Sequence, residues 1–181
     1  MPTNNSVKKA LSLIEGDDKS KVLGLTVGKH TNVQPGQYIP KADAQSAPEI
    51  TFTSLPSDKT YLVVGLDLDA PFPSFGVLGP ILHWIQPGFQ ATPAGEGETV
   101  SLKSSAPFVA NYIGPAPPPG SSPHRYTFFL YEQPEGFDGK KYAPPDGKNL
   151  GNAKRIRYDL DAWEKEAKLG PVLAVNYFNS N

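Results

Sequence analysis

Among the 181 residues, two aspartates, two histidines and a tyrosine have the types and spacing that could do chemistry. Asp67 and Asp69 close the apolar run Tyr61 to Leu66, where a charge is costly unless it is paired or used. At a side-chain period of two they project to one face, and two neighbouring carboxylates need a cation or hydrogen-bond donors to offset them. Taken by itself the pair also fits turn chemistry at a strand end, where aspartate is common. His83 shares a face with Ile81 and Ile85, a pattern that by itself suits a satisfied core histidine. His124 opens an aromatic stretch on the face of Tyr126, Phe128 and Leu130, while Arg125 points the other way and suits a structural ion pair. Together the five groups suit two tasks: holding a small anion by charge-assisted hydrogen bonds, or acid–base work on a bound compound. Either task requires that segments distant along the chain converge on one pocket.

The elements that must position them are short. Twenty prolines and seventeen glycines break long elements and favour many strands joined by turns. Strands are expected at 21–27, 49–53, 61–66, 81–86, 125–131 and 172–178. The run 61–66 is apolar without alternation, as for a central strand covered on both faces, and 125–131 holds four aromatics in seven residues. Residues 29–48, 87–97 and 133–154 read as loops. Ser6 suits the cap of a first helix carrying Val7, Ala10, Leu11 and Ile14, with Gly16 as its stop. Asp159 or Asp161 suits the cap of a second helix, with Glu164 completing a capping box after Asp161. Leu160, Trp163 and Ala167 form the apolar stripe of that helix, and Gly170 then Pro171 end it. No repeat or composition shift marks a boundary, so residues 1–181 read as one all-β-dominated domain, an antiparallel sheet system with small peripheral helices.

Composition excludes several classes. There is no cysteine, hence no disulfide, thiolate metal site or cysteine nucleophile. Net charge is −1, and Lys8, Lys9, Lys19 and Lys21 are broken by acidic neighbours, so no nucleic-acid partner is expected. No apolar run approaches the roughly 18 residues of a spanning helix, and Ala10 to Ile14 is too short for a signal-peptide core, so the expected location is cytoplasmic. There is no nucleophile elbow of the hydrolase type. The histidines lack metal-ligand spacing, and neither a metal nor a cofactor is expected.

Three segments carry a family resemblance. Asp67-Leu68-Asp69-Ala70-Pro71 resembles the Asp-Pro-Asp-Ala-Pro motif of the phosphatidylethanolamine-binding protein family, which includes the Raf kinase inhibitor protein. Gly79-Pro80-Ile81-Leu82-His83-Trp84 resembles that family's approach to His-Trp. Gly114 to Gly120, followed by Pro123-His124-Arg125-Tyr126, resembles its Gly-x-Pro-Pro-x-Gly and His-Arg-Tyr signature. The three occur in the family's order over residues 61–133. The resemblance implies an antiparallel β-sandwich of that family's type. It also implies a pocket for an anionic or phospholipid-like headgroup, walled by Asp67, Asp69, Pro71, His83 and Gly114. Ala116, Pro117, Pro118, His124 and Tyr126 complete that wall. This sequence departs from the pattern at Leu68, where the family has proline, at Phe72, where a small polar residue is usual, and at Ala116, often glycine. No arginine follows the first motif, and the chain stops near its last strand, without the C-terminal helix of animal members. A more apolar, more open rim is the expected result.

Two functions follow as expectations. One is a binding or regulatory module for an anion, with inhibition of a protease or kinase through exposed loops. The other is a cofactor-free enzyme in which His83, His124, Asp67 and Tyr126 isomerise or cyclise a hydrophobic metabolite.

Overall fold

The computed structural model describes residues 4–16, 19–53, 55–92 and 98–181. Among these, eight strands form one continuous sheet: β1 (Gly24–Thr26), β2 (Gln37–Tyr38), β3 (Glu49–Thr53), β4 (Thr60–Asp67), β5 (Ile81–Ala91), β6 (Thr99–Lys103), β7 (His124–Glu132) and β8 (Ala174–Ser180). Their order is β1-β3-β6-β5-β4-β7-β8-β2. Every pairing is antiparallel except the short parallel join of β2 to β8. The class is the one expected; the two layers of a sandwich are here a single sheet with a core on each face.

The central strands explain both cores. In β4, Tyr61 and Val63 join one cluster with Trp84, Phe89, Tyr126, Phe128 and Phe178. Leu62, Val64 and Leu66 join the other with Leu82, Ile85, Phe129, Tyr131, Leu160 and Trp163. Alternation thus buries both sides of the same strand, as its unbroken apolar run predicts. Gly65 fits between them because a side chain there would press on the Phe128 ring and on Trp84.

Two short helices cover the second cluster, α1 (Asn5–Ser12) through Val7 and Ala10, and α2 (Leu160–Ala167) through Leu160, Trp163 and Ala167. Asp159 caps α2 by accepting from the Ala162 N–H at 2.9 Å. The helix ends at Ala167 with Lys168 in the left-handed region, two residues before Gly170. Ser6 does not cap α1. The Asp161 carboxylate does, accepting from the backbone N–H groups of Asn5 and Ser6 at 2.8 and 2.9 Å. Glu164 is likewise not part of a capping box: it accepts from the Ser6 and Tyr131 hydroxyls.

Three loop and strand expectations change. The strand β5 runs on to Ala91, taking up 87–91 of the expected loop; residues 93–97 lie outside the described residues. The span 29–48 contains β2 and a 3-10 turn at Lys41–Ala44. The strand β6 was not foreseen, although Val100 and Leu102 alternate into the core. No helix among the described residues is long and apolar enough to cross a membrane.

Candidate functional site

One end of β4, β5 and β7 opens on a cavity of about 290 Å³. Antiparallel register brings its polar groups together: Asp67 at the end of β4 lies opposite both Tyr126 of β7 and Ile81 of β5. Asp67, Pro71, His83, Gly114, Ala116, Pro117, Pro118, His124 and Tyr126 all line it. Asp69 does not.

The fate of Asp69 follows from where β4 stops. The strand ends at Asp67, whose Oδ1 accepts from the Asp69 N–H at 2.9 Å in an Asx turn, so the two carboxylates no longer share a face. Asp69 instead pairs with Arg125, accepting from Nη2 at 2.7 Å and from Nε and the backbone N–H at 2.9 Å each. Burial works against the charged form, yet the Arg125 contacts outweigh it and hold this carboxyl below its ordinary value. Arg125 is therefore the structural ion-pair partner its direction suggested.

His124 is almost fully buried, and both ring nitrogens are engaged. Nδ1 meets Asp67 Oδ2 at 2.9 Å and Nε2 meets the Ser121 hydroxyl at 2.9 Å. The Ser121 hydroxyl also donates to the Ser122 carbonyl at 2.9 Å. All three bonds are satisfied together when the imidazole carries both protons, since Ser121 then accepts from Nε2. Burial opposes that charge, but the hydrogen bond and charge of Asp67 prevail and hold the pKa above 6.5.

His83 owes its place to a β-bulge. Gly65 and Leu66 of β4 pair with Trp84 and Leu82, which leaves His83 as the extra residue of β5. The face expected from simple alternation is thereby corrected. Ile85 packs with Leu82 in the second cluster, whereas the His83 ring meets Tyr126 of the first edge-on at 5.0 Å. Ile113 holds both ends of the bulged residue: its N–H donates to the His83 carbonyl at 3.0 Å, and its carbonyl accepts from Nδ1 at 2.7 Å. Burial pushes this imidazole below 6.5, so it is neutral with Nε2 unprotonated. The two imidazoles are thus shifted in opposite directions.

The Tyr126 ring lies between them, stacked 6.4 Å from His124. Its hydroxyl is buried with no hydrogen-bond partner among the described residues. Asp67 and the Ala116 backbone are near enough to perturb it, though neither makes a bond of proper geometry, and burial drives the phenol well above 10. The proline-rich wall is fixed from behind. Gly114 lies so close to Gln45 that a side chain would collide, and Gln45 Nε2 donates to the Pro115 carbonyl at 3.1 Å. Ala116 is exposed and lines the mouth of the cavity.

Several lining residues were not foreseen. Leu78, Ile81, Ile113 and Ile156 make the wall mostly apolar, with Ala70 and Asn152 beside them. Ile156 (39%), Phe72 (38%) and Phe75 (63%) are the large apolar side chains left exposed besides Tyr38 among the described residues. Of these, Ile156 lines the cavity, so an exposed apolar side chain stands at its mouth; Phe72, from which an apolar rim was expected, is exposed but does not line it. Arg155, 1% exposed, also lines the cavity. It donates to the carbonyls of Leu150, Leu82 and Asn111 and to Asn111 Oδ1, at 2.6 to 3.1 Å. Nothing local in the sequence separates it from Arg157, which is exposed and donates to the Val77 carbonyl. No cluster of three or more His, Asp or Glu side chains among the described residues is placed to hold a metal ion.

Comparison with known proteins bears on the family and the fold. The family model described as phosphatidylethanolamine-binding protein matches residues 29–178. Phomoidride biosynthesis cluster protein N of Talaromyces stipitatus is 33% identical over 171 residues, covering 86% of this chain and 82% of that protein. Carboxypeptidase Y inhibitor of Saccharomyces cerevisiae is 29% identical over 184 residues, covering 88% and 83%. The crystal structure of carboxypeptidase Y inhibitor complexed with its cognate proteinase superimposes with a TM-score of 0.73 at 27% identity, covering 90% of this chain and 83% of that one. Phosphatidylethanolamine-binding protein from Plasmodium vivax shares the fold, with a TM-score of 0.63 at 16% identity over 97% and 94% of the two chains.

Proposed function

The chain belongs to the phosphatidylethanolamine-binding protein family, and from that premise we propose that it is a binding module whose cavity receives a small anionic group. The observation that carries the reading is the Tyr126 hydroxyl, a buried donor without a partner beside a charged His124–Asp67 pair. A buried hydroxyl left unpaired is costly, and an anion entering the cavity relieves it. His124 offers no free N–H, because Asp67 and Ser121 already take both of its protons, and its charge is matched by the Asp67 carboxylate. His83 presents Nε2 as an acceptor and so meets a protonated oxygen, or takes up a proton when the anion enters. Calorimetry with acetate and with inorganic phosphate tests the reading. Tyr126→Phe removes one hydrogen bond to a charged group, about 1.5–3 kcal/mol, and is expected to weaken binding roughly 10- to 100-fold. An unchanged affinity contradicts it.

The likeness to carboxypeptidase Y inhibitor extends the proposal to a protease partner, met by exposed loops rather than by the cavity. Inhibition of that peptidase by the wild type, kept in Tyr126→Phe, is the expected result.

A second reading is enzymatic. The neutral His83 beside the Tyr126 phenol forms a base and acid pair at the end of an apolar cavity. The likeness to a protein named for a biosynthesis cluster is the comparison that points toward metabolism. A co-purifying metabolite consumed by wild type and not by His83→Ala would establish it; equal turnover by both would dismiss it.

A further inference from the structure

Arg155 is a charge buried without a counter-ion. Four of its five N–H groups go to three backbone carbonyls and one amide oxygen, and one Nη1 N–H has no acceptor among the described residues. Carbonyl dipoles satisfy the hydrogen bonds and leave the charge itself uncompensated, which is unfavourable for a buried guanidinium. Both carboxylates near the cavity are committed elsewhere: Asp67 faces His124 and Asp69 faces Arg125. With the His124–Asp67 pair closed on itself, one positive charge remains at the wall. The same arrangement leaves no carboxylate to receive an ammonium group. Leu78, Ile81, Ile113 and the exposed Ile156 line much of the rest of the wall with hydrocarbon, beside Asn152.

Resting on the anion-pocket reading above, we infer that the occupant is a carboxylate with an apolar body, its single charge set against Arg155 and its hydrocarbon along the isoleucine-lined mouth. One unpaired Arg155 N–H and the Tyr126 hydroxyl are two donors, enough for the two oxygens of a carboxylate. A phosphate dianion brings a second charge that the wall does not offset, and a phosphoethanolamine headgroup brings an ammonium with no acceptor of opposite charge. A body of about six carbons suits a cavity of about 290 Å³, at the lower end of the range for small-molecule sites. Longer chains would emerge over Ile156. Arg155 is on this account the residue that selects charge type, and Ile156 and Leu78 select apolar length.

Calorimetry on the full chain with acetate, butanoate, hexanoate, 1-hexanol, inorganic phosphate and glycerophosphoethanolamine tests this. Affinity is expected to rise about fourfold per methylene from acetate to hexanoate. 1-Hexanol is expected to bind at least tenfold more weakly than hexanoate. Arg155→Gln is expected to lose at least tenfold for hexanoate and to leave 1-hexanol unchanged. Should Arg155→Gln not fold, Ile156→Asp sets a like charge on the exposed rim and is expected to weaken hexanoate by tenfold or more. Phosphate or glycerophosphoethanolamine binding more tightly than hexanoate overturns the inference and leaves the anion pocket standing. Hexanoate bound by the folded Arg155 or Ile156 variant as tightly as by wild type does the same. Failure of every probe to bind overturns both.

Discussion

At the scale of single residues, the two pocket histidines have opposite electrostatic settings, and this makes stability depend on pH from both sides. Burial lowers the His83 pKa below 6.5, so the unfolded chain takes up that proton first and stability falls as pH drops through 6.5. For His124, burial is outweighed by Asp67 and the folded pKa lies above 6.5, so its contribution is complete below 6.5 and is lost as pH rises through the folded value. Carboxylates with lowered values, Asp69 and Asp161, act in a separate window below about 3.8. Urea unfolding from pH 5 to 8 is therefore expected to show maximal stability near pH 6.5, with flanks no steeper than about 1.4 kcal/mol per pH unit for one proton. His83→Gln is expected to flatten the acid flank and His124→Gln the alkaline one. Stability that climbs steadily from pH 6.5 to 8 in the wild type would be inconsistent with a charged His124.

At the scale of elements, partners distant in sequence decide what the local pattern left open. The run 61–66, the aromatic strand and α2 were legible because burial on both faces, aromatic enrichment and an apolar stripe at helical spacing are properties of single segments. The convergence of Asp67, His83, His124 and Tyr126 was legible through the three motifs that carry them. The bulge at His83 was not, because an extra residue exists only relative to the strand opposite, and Ile81 to Ile85 alternates without fault on its own. Asp69 was misplaced for a similar reason: alternation holds only while the strand continues, and β4 stops at Asp67. Arg155 had no local signal, since its role comes from the carbonyls of Leu82, Leu150 and Asn111. The start of α1 is capped by Asp161, 156 residues away from Asn5, which no N-terminal pattern reveals. That contact gives a prediction. Asp161→Ala removes a cap shared between helices and is expected to cost about 1 kcal/mol in urea unfolding, with faster amide exchange confined to α1. Unchanged exchange in α1 would show that its apolar contacts alone hold it.

At the scale of the whole molecule, one sheet with a packed cluster on each face makes the strand ends rigid, and the cavity is built where β4, β5 and β7 end together. Rigid strands fix Asp67, His83, His124 and Tyr126, while the loops around them supply an apolar mouth and the buried Arg155. The central claim is that His83 and His124 are two walls of one ligand site. The chain has three histidines, and the third, His30, bonds Asp43 and is absent from the cavity wall, so it serves as an internal control. Side-chain NMR of ¹⁵N-histidine protein titrated with hexanoate, with inorganic phosphate as a second probe, reads all three at once. The account predicts that the His83 and His124 signals move together with one dissociation constant while His30 stays still. Signals of His83 and His124 that stay still, or that move with different constants, would contradict it.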